Sequence, residues 1–538
     1  MTKYASGKAP DMAFLNFFMD NSKSPQASSL PTSPLAALIA PTTLAEFEER
    51  YWEREPLFLP RDELPSAFAD LLRTDDVAEL SERLAALEVE PQIMRNGERC
   101  QPRELLWDFL DGGSAIINRI DRLWPPIGRL CSALRADFLH VFAVMYLTPR
   151  DSRAVPAHTD DQDVFILQLA GRKTWTVYGS PIELPCTHEQ LGKTEPITRS
   201  LWENELREPI LTAELAPGSL LYLPRGFVHE ARCTKAGGSS LHVTLTVQTS
   251  DLNWRTFLRD GLVELQRTNE AARCALPLDA ALGGFDDDDD DDDGDGDEPA
   301  AVVAPAGDRP APASHAPAAV AAPAATDAPD SVSAAADGAG HVSALAQAAP
   351  YAAFDELMAW TAARADEGFE FAMGRLHAKL QTLNVSQDRA IATSEAAGEE
   401  VRRAAAAAGR RPGLPARVAV VPGLQLRCTE EGAIECYDAR RDRTMRTRLG
   451  GVSRAAVEAL EELARRGQPF APAELPGCDD LERVAVVARL LGLGVLCDAE
   501  ALHAVDDDGA DGAPTSAGGR AGGARGGGGR SKRSGGRR

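Results

Sequence analysis

Between Asp137 and Thr249 the chain reads as short apolar or alternating runs cut by turn residues: "FLHVFAVMYL", "DVFILQL", "TWTVYG", "SLLYL", "HEARC" and "SLHVTLTVQ". Runs of this length, bounded by Gly and Pro, predict the strands of an all-β sandwich or barrel. The "AGRK" that joins "FILQL" to "TWTVY" reads as a hairpin turn. Ahead of this region the pattern differs. The stretch "SPLAALIAPTTLAEFEERYWEREPLFLPR" predicts helix followed by a short strand, with Thr43 as a helix cap and Glu46 at capping-box distance.

Further along, 351–408 keeps a helical period with little turn chemistry, for example "FDELMAWTAARADEGFEFAMGRLHAKLQTL". Residues 415–500 predict a small α+β unit. It opens on strand-like "ARVAVVPGLQLRC", has a helix "SRAAVEALEELARRG" stopped by Gly467 and a second helix "DDLERVAVVARLLG", and closes on the short strand "GVLCD". Helix, turn, helix and a β element outline a winged helix, and a short helical bundle with strands fits nearly as well. The expected organisation is therefore a disordered start at 1–33, a β-rich domain with a helical front at 34–284 and a linker at 285–349. A helical region at 350–408, a winged-helix-like unit at 415–500 and a disordered tail at 501–538 follow.

Composition changes the picture mainly at the linker and the tail. The chain has 538 residues, 44% of them hydrophobic, enough for roughly two to four domains. Its net charge of −24 is unevenly distributed. Asp286–Asp293 is an unbroken acidic run, an Ala/Pro-rich stretch follows, and from Gly518 the tail "GGRAGGARGGGGRSKRSGGRR" carries no acid. Such segments cannot bury enough apolar surface to fold. The nine cysteines form no C-x-x-C pair, which argues against a zinc ribbon and a secreted disulfide framework and points to a reducing compartment. No apolar run approaches the ~18 residues that span a bilayer, so no membrane association is expected.

The candidate chemistry sits in "PAHTDDQDV", where His158 and Asp160 are two residues apart just before an apolar strand. On a strand, residues i and i+2 share a face, so an imidazole and a carboxylate would converge. These are two members of a two-His, one-carboxylate triad of the kind that holds non-haem Fe(II) with positions left open. A lone H-x-D is common by chance. The segment "GSLLYLPRGFVHEA" offers the third member: an apolar strand, a tight Pro-Arg-Gly turn, then His229 carried back inward.

Gly218, Pro224, Gly226 and His229 fit the second cupin motif, although Cys233 stands where cupins often have Asn. Together with "PAHTDDQDVFILQLAGRKTWTVY", "SLHVTLT" and "YWEREPLFLPR", the chain resembles the JmjC-type ribosomal oxygenases over 34–284 and more loosely over 350–500. That resemblance implies a double-stranded β-helix (cupin/JmjC) catalytic domain, a helical dimerisation segment and a winged-helix-like C-terminal domain. It also implies an Fe(II)- and 2-oxoglutarate-dependent enzyme that uses O₂ to hydroxylate a protein side chain and releases succinate and CO₂. His158, Asp160 and His229 match the iron ligands. Lys173 matches the lysine that pairs with the far carboxylate of 2-oxoglutarate, and a lysine inside a barrel needs such a counter-anion. Tyr146 matches a tyrosine facing the cosubstrate, and Thr244 or Thr246 would meet the near carboxylate, which of the two being left open. Val144 departs from the Asn or Ser often found there.

Members of the family act on histidine or arginine of large-subunit ribosomal proteins, and histone lysine demethylation is assigned to some. A ribosomal protein substrate, a histone as a second candidate and a homodimer are the partners this implies. The Gly/Arg tail adds a candidate RNA contact, whereas "DDLERVAVVARLLG", with three acids to two arginines, is a poor match for a polyanion. Acid run and basic tail together suggest a nucleus or nucleolus in a eukaryotic host, and otherwise a cytoplasm. Two other functions remain in view: a cupin of small-molecule chemistry, which needs no internal lysine, and a non-catalytic ribosome or chromatin adaptor, which needs no intact triad.

Overall fold

The computed structural model describes residues 33–267, 269, 358–407, 413–429, 433–438, 443–448 and 454–500. The expected disordered stretches at 1–33, 285–349 and 501–538 lie outside these residues, Ser33 excepted. Residues up to Asn253 and from Lys379 onward form one compact unit, and Trp254–Ala378 form another.

The front of the chain is helical for reasons visible in its residues. The Ser33 hydroxyl accepts the Ala36 N–H at the head of α1 (Pro34–Ile39), and Thr43 accepts the Glu46 N–H at 3.1 Å. A strand, β1 (Leu57–Leu59), follows as expected. Next come α2 (Asp76–Ala86), β2 (Gln92–Arg95), β3 (Glu98–Cys100), α3 (Leu105–Leu110), β4 (Ser114–Asn118) and α4 (Pro125–Ala133).

The centre is a pair of antiparallel sheets, the fold class the sequence predicts. Its strands are β5 (Val141–Thr148), β6 (Asp163–Gly171), β7 (Lys173–Val177), β8 (Leu211–Leu215), β9 (Leu220–Leu223), β10 (His229–Arg232) and β11 (Ser240–Val247), with the short α5 (Arg199–Asn204) between β7 and β8. The large sheet runs β1-β9-β6-β11-β5-β4-β2-β3 and the small one β10-β7-β8. On β5, β6 and β11 the odd-numbered apolar residues, among them Met145, Leu167 and Val243, pack into the main core with the helices. Val164 and Ile166 on the other face meet Trp175 and Val177 of the small sheet. Covered on both faces, β6 is apolar without a break from Val164 to Leu167, whereas β11 alternates Leu and Val on the core side with Ser240, His242, Thr244 and Thr246 on the other.

One expectation fails here. "AGRK" is not a hairpin: β6 pairs with β9 and β11, while β7 pairs with β10 and β8. The chain turns a corner and passes from one sheet to the other. Gly171 makes the corner at φ +64°, where a Cβ would lie 1.8 Å from the Ser239 carbonyl oxygen.

The second unit contains α6 (Trp254–Arg267) and the start of α7 (Ala365–Ala407). The later part of α7 belongs to the first unit. There Gln387 donates to the Asp121 carboxylate at 2.7 Å and to the Val141 carbonyl at 2.9 Å, and Asn384 meets the His140 ring at 2.8 Å.

At the C-terminal end, β12 (Val418–Val420) pairs with β16 (Leu496–Asp498), and β13 (Leu424–Cys428), β14 (Ala433–Asp438) and β15 (Arg443–Arg448) form a separate meander. Two helices follow, α8 (Arg454–Arg466), ended by Gly467 at φ +64°, and α9 (Asp480–Gly492). The helix pair and closing strand follow the predicted order. The hairpin β14–β15 was not anticipated, since its "RTMRTR" strand carries no apolar alternation.

Candidate metal centre

His158, Asp160 and His229 come together, with one ligand atom from each lying within 4.8 Å of the others. The expected cause, alternation along a strand, is only half the account. His158 lies outside the named strands, in the loop after β5, and forms an isolated bridge with His229. Its N–H donates to the His229 carbonyl at 3.1 Å, and the His229 N–H returns a bond of 2.9 Å. Cross-strand pairing therefore juxtaposes the imidazoles, whose centroids are 4.4 Å apart.

Thr159 turns the opposite way and is buried. Its N–H donates to the Leu191 carbonyl and its hydroxyl accepts the Leu191 N–H, each at 2.9 Å. This anchor leaves the side chains of His158 and Asp160 on one face. Gly226, at φ +92°, donates its N–H to the Asp160 carbonyl at 3.0 Å, and a Cβ there would come within 2.5 Å of the Ile182 carbonyl oxygen. The "PRG" turn thus needs its glycine to bring the third group home.

The tautomers follow from hydrogen bonding. Each ring turns Nδ1 to a carbonyl two residues back, His158 to Pro156 at 2.8 Å and His229 to Phe227 at 3.0 Å. Both Nε2 lone pairs are thereby directed at the Asp160 carboxylate, at 3.8 Å and 3.6 Å. Burial keeps both rings neutral, His158 pushed down to about 3 with His229 and Lys193 adding to the effect, and His229 also lowered by burial. For Asp160, burial opposes ionisation, but the Lys193 ammonium ion-paired to it and the two imidazoles outweigh that and hold the carboxyl below its usual range. Two neutral nitrogens and one carboxylate oxygen within 4.8 Å of one another, with the Lys193 ammonium beside the carboxylate, fit a divalent transition metal.

The three groups line a cleft together with Tyr146, Val164, Ile166, Lys173, Trp175, His242 and Thr244. Lys173 is 2% exposed, and its ammonium donates to the Thr148 hydroxyl at 3.0 Å. No carboxylate pairs with it among the described residues, and burial pushes it down to about 8. Tyr146 stacks on His242 at 4.7 Å between centroids, and its ring lies 5.7 Å from the lysine nitrogen. Burial raises its phenol well above the ordinary value.

Thr244 and Thr246 share one face, being two apart on β11, so the open question is one of height along the strand. Thr244 lines the cleft beside His242, and Thr246 lies a step farther along, opposite Phe142 and Val164. Val144 packs with Met94, Ile116 and Ala154 at the side.

Sequence reasoning missed His242, Trp175 and Lys193. The same parity that selects Thr244 selects His242, and the parity that selects Lys173 selects Trp175. His242 Nδ1 is buried without a partner, and the ring meets Trp175 edge-on at 5.6 Å. Lys193 lies in an irregular segment and had no local signal.

Comparison with known proteins follows this geometry. Residues 122–254 match the JmjC domain family. A bifunctional lysine-specific demethylase and histidyl-hydroxylase NO66 from Aedes aegypti is 30% identical over 261 residues, which are 45% of this chain and 40% of that protein. Ribosomal oxygenase 2 from Rattus norvegicus is 28% identical over 265 residues, 46% of this chain and 55% of that one. The chain thus spans about half the length of these curated relatives. Among solved structures, the ribosomal oxygenase YcfD from Escherichia coli, in complex with cobalt and 2-oxoglutarate, aligns with a TM-score of 0.34 at 16% identity, over 85% of this chain and 98% of that one. Residues 122–254, which carry the triad, match the JmjC domain, and over about 45% of its length the chain is similar to the ribosomal oxygenases named above.

Proposed function

We propose that this chain is an Fe(II)- and 2-oxoglutarate-dependent oxygenase that hydroxylates a side chain of a ribosomal protein, histidine ahead of arginine. The observation that carries the reading is the sharing of one cleft by the triad and by a buried lysine with no carboxylate partner among the described residues. His158, Asp160 and His229 would hold the metal. The Nδ1–H groups of His158 and His229 donate to the Pro156 and Phe227 carbonyls, which keeps Nε2 free for coordination. When bound, iron supplies O₂ activation coupled to decarboxylation of the cosubstrate.

The other roles belong to the chain. Lys173 neutralises the far carboxylate, since a dicarboxylate supplies the counter-charge it lacks. The Tyr146 hydroxyl, kept protonated by burial, donates to the same anion, and Thr244 donates at its near end. Val164, Ile166 and Trp175 exclude water from this end of the cleft. A small-molecule cupin would leave Lys173 without a purpose, and an adaptor would not need the triad.

The name of the Aedes relative couples histidyl hydroxylation with lysine demethylation, which supports histone lysine as a second substrate class. Homodimerisation is supported by Trp254, Leu258 and Leu262, exposed at four-residue spacing on α6, with Phe369 also exposed. Composition alone supports an RNA contact through the Gly/Arg tail and a nucleolar location in a eukaryotic host.

The test is to incubate full-length protein with Fe(II), 2-oxoglutarate, O₂ and ribosomal-protein peptides. Succinate formation matched by a peptide heavier by one oxygen atom is expected. Binding of metal without 2-oxoglutarate turnover would overturn the reading.

A further inference from the structure

Two carboxylates at the head of α9 serve two purposes at once. Asp479 and Glu482 form a capping box: the Asp479 side chain accepts the Glu482 N–H at 2.9 Å and the Glu482 side chain accepts the Asp479 N–H at 3.0 Å. The same carboxylates reach the sheets. Glu482, 2% exposed, receives both Nε and Nη2 of Arg150. Asp479 Oδ2 accepts the Ser239 N–H at 2.8 Å and lies 3.5 Å from the Arg150 guanidinium. A second attachment holds the C-terminal end of the helix, where Arg489 pairs with Glu104 at 2.7 Å and covers the Trp107 ring at 4.0 Å.

The two points gripped by the cap flank the structures that aim Lys173. Arg150 lies two residues beyond Thr148, whose hydroxyl accepts from the Lys173 ammonium. Ser239 carries the carbonyl against which the Gly171 corner is packed, and that corner launches β7 two residues before Lys173. Ser240, next in the chain, accepts from Gln168 on β6 at 2.9 Å, so the corner is held from that side too. None of the cap residues reaches the cleft.

We propose that the N-terminal cap of α9, through Asp479, Glu482 and Arg150, is a clamp that positions Lys173 for the cosubstrate. The C-terminal unit then tunes cosubstrate affinity while leaving the metal ligands untouched. Asp479, Glu482 and Arg150 are positioning residues, and the inference rests on the proposed role of Lys173.

The test uses the full chain and calorimetry, with Mn(II) as metal probe and 2-oxoglutarate titrated into the loaded protein. Asp479→Ala and Arg150→Met are each expected to weaken 2-oxoglutarate binding about ten-fold, as a sub-ångström displacement of a positioning charge does, with Mn(II) affinity unchanged. Asp479→Asn keeps one acceptor oxygen for the helix cap at the Glu482 N–H but sets an amide NH2, a donor, against the Ser239 N–H, so it is expected to weaken 2-oxoglutarate binding as the Ala variant does while the cap is retained. Thermal unfolding on the same samples confirms that the folded state is being titrated. Native 2-oxoglutarate affinity in the folded Ala and Met variants overturns the clamp and leaves the role of Lys173 standing. Equal loss of Mn(II) and 2-oxoglutarate binding also overturns it, because the effect would then be general. A wild-type chain that takes Mn(II) but no 2-oxoglutarate overturns the role of Lys173, and the clamp with it.

Discussion

Replacing Lys173 by methionine pulls stability and ligand binding in opposite directions. The ammonium is buried, makes one hydrogen bond to a hydroxyl, and is pushed by burial from 10.5 to about 8. A fall of that size corresponds to ~3 kcal/mol held against the charged form. Below pH 8 folded and unfolded chains both carry the proton, so the whole penalty is present. Between about 8 and 10.5 the folded chain loses its proton first, the unfolded state binds more protons, and stability rises with pH. Methionine has similar reach, no charge, and forfeits one hydrogen bond worth ~1 kcal/mol. The metal-free, cosubstrate-free Lys173→Met protein should therefore be more stable than wild type at pH 7 by ~2 kcal/mol. That advantage should vanish as the pH is raised through 8 to 10.5. Urea denaturation followed by tryptophan fluorescence at both ends of this window measures it. In the same variant 2-oxoglutarate binding should weaken by roughly ten- to a hundred-fold, the worth of a hydrogen bond to a charged group. A variant less stable than wild type at pH 7 would refute the reasoning, because the ammonium must then have an internal counter-anion.

Other changes probe different links. His158→Ala should lose Mn(II) binding and all succinate production while its far-UV circular dichroism stays native; turnover surviving in that variant would remove His158 from the site. Thr244→Val should weaken 2-oxoglutarate binding several-fold and Thr246→Val should not, which calorimetry distinguishes; the reverse order would show that the cosubstrate lies deeper along β11. Gly171→Ala forces a Cβ to 1.8 Å from the Ser239 carbonyl oxygen at a positive φ, so a loss of at least ~2 kcal/mol is expected in denaturant titration. A neutral result there would mean that the sheet-to-sheet corner relaxes freely.

The core strands were legible because β6 carries the continuous apolar run Val164–Leu167 and β11 alternates Leu and Val with polar residues. The residues His158, Asp160 and His229 were legible by type and spacing, but the reason two of them meet was not. That reason is a backbone bridge between residues 71 positions apart, which no local pattern encodes. The corner at Gly171 defeated local reading for a similar cause. A short Gly-containing turn between two strands looks the same whether the chain folds back or steps across, and here the distant Ser239 carbonyl decides. Lys193 was invisible because an irregular segment brings it to Asp160. The β14–β15 hairpin was missed because its second strand, "RTMRTR", is too polar to show a period.

The first unit is made of two stretches of chain, one ending at Asn253 and one beginning at Lys379. Its seams, at Asp121 with Gln387 and at Arg150 with Glu482, are noncovalent and lie entirely within that unit. Evolution can therefore lengthen, shorten or recompose the stretch between α6 and α7 with little effect on that unit. An octa-aspartate block followed by an alanine–proline run is the sort of genetic drift such an arrangement tolerates, so homologues should align well on either side of that stretch and poorly across it.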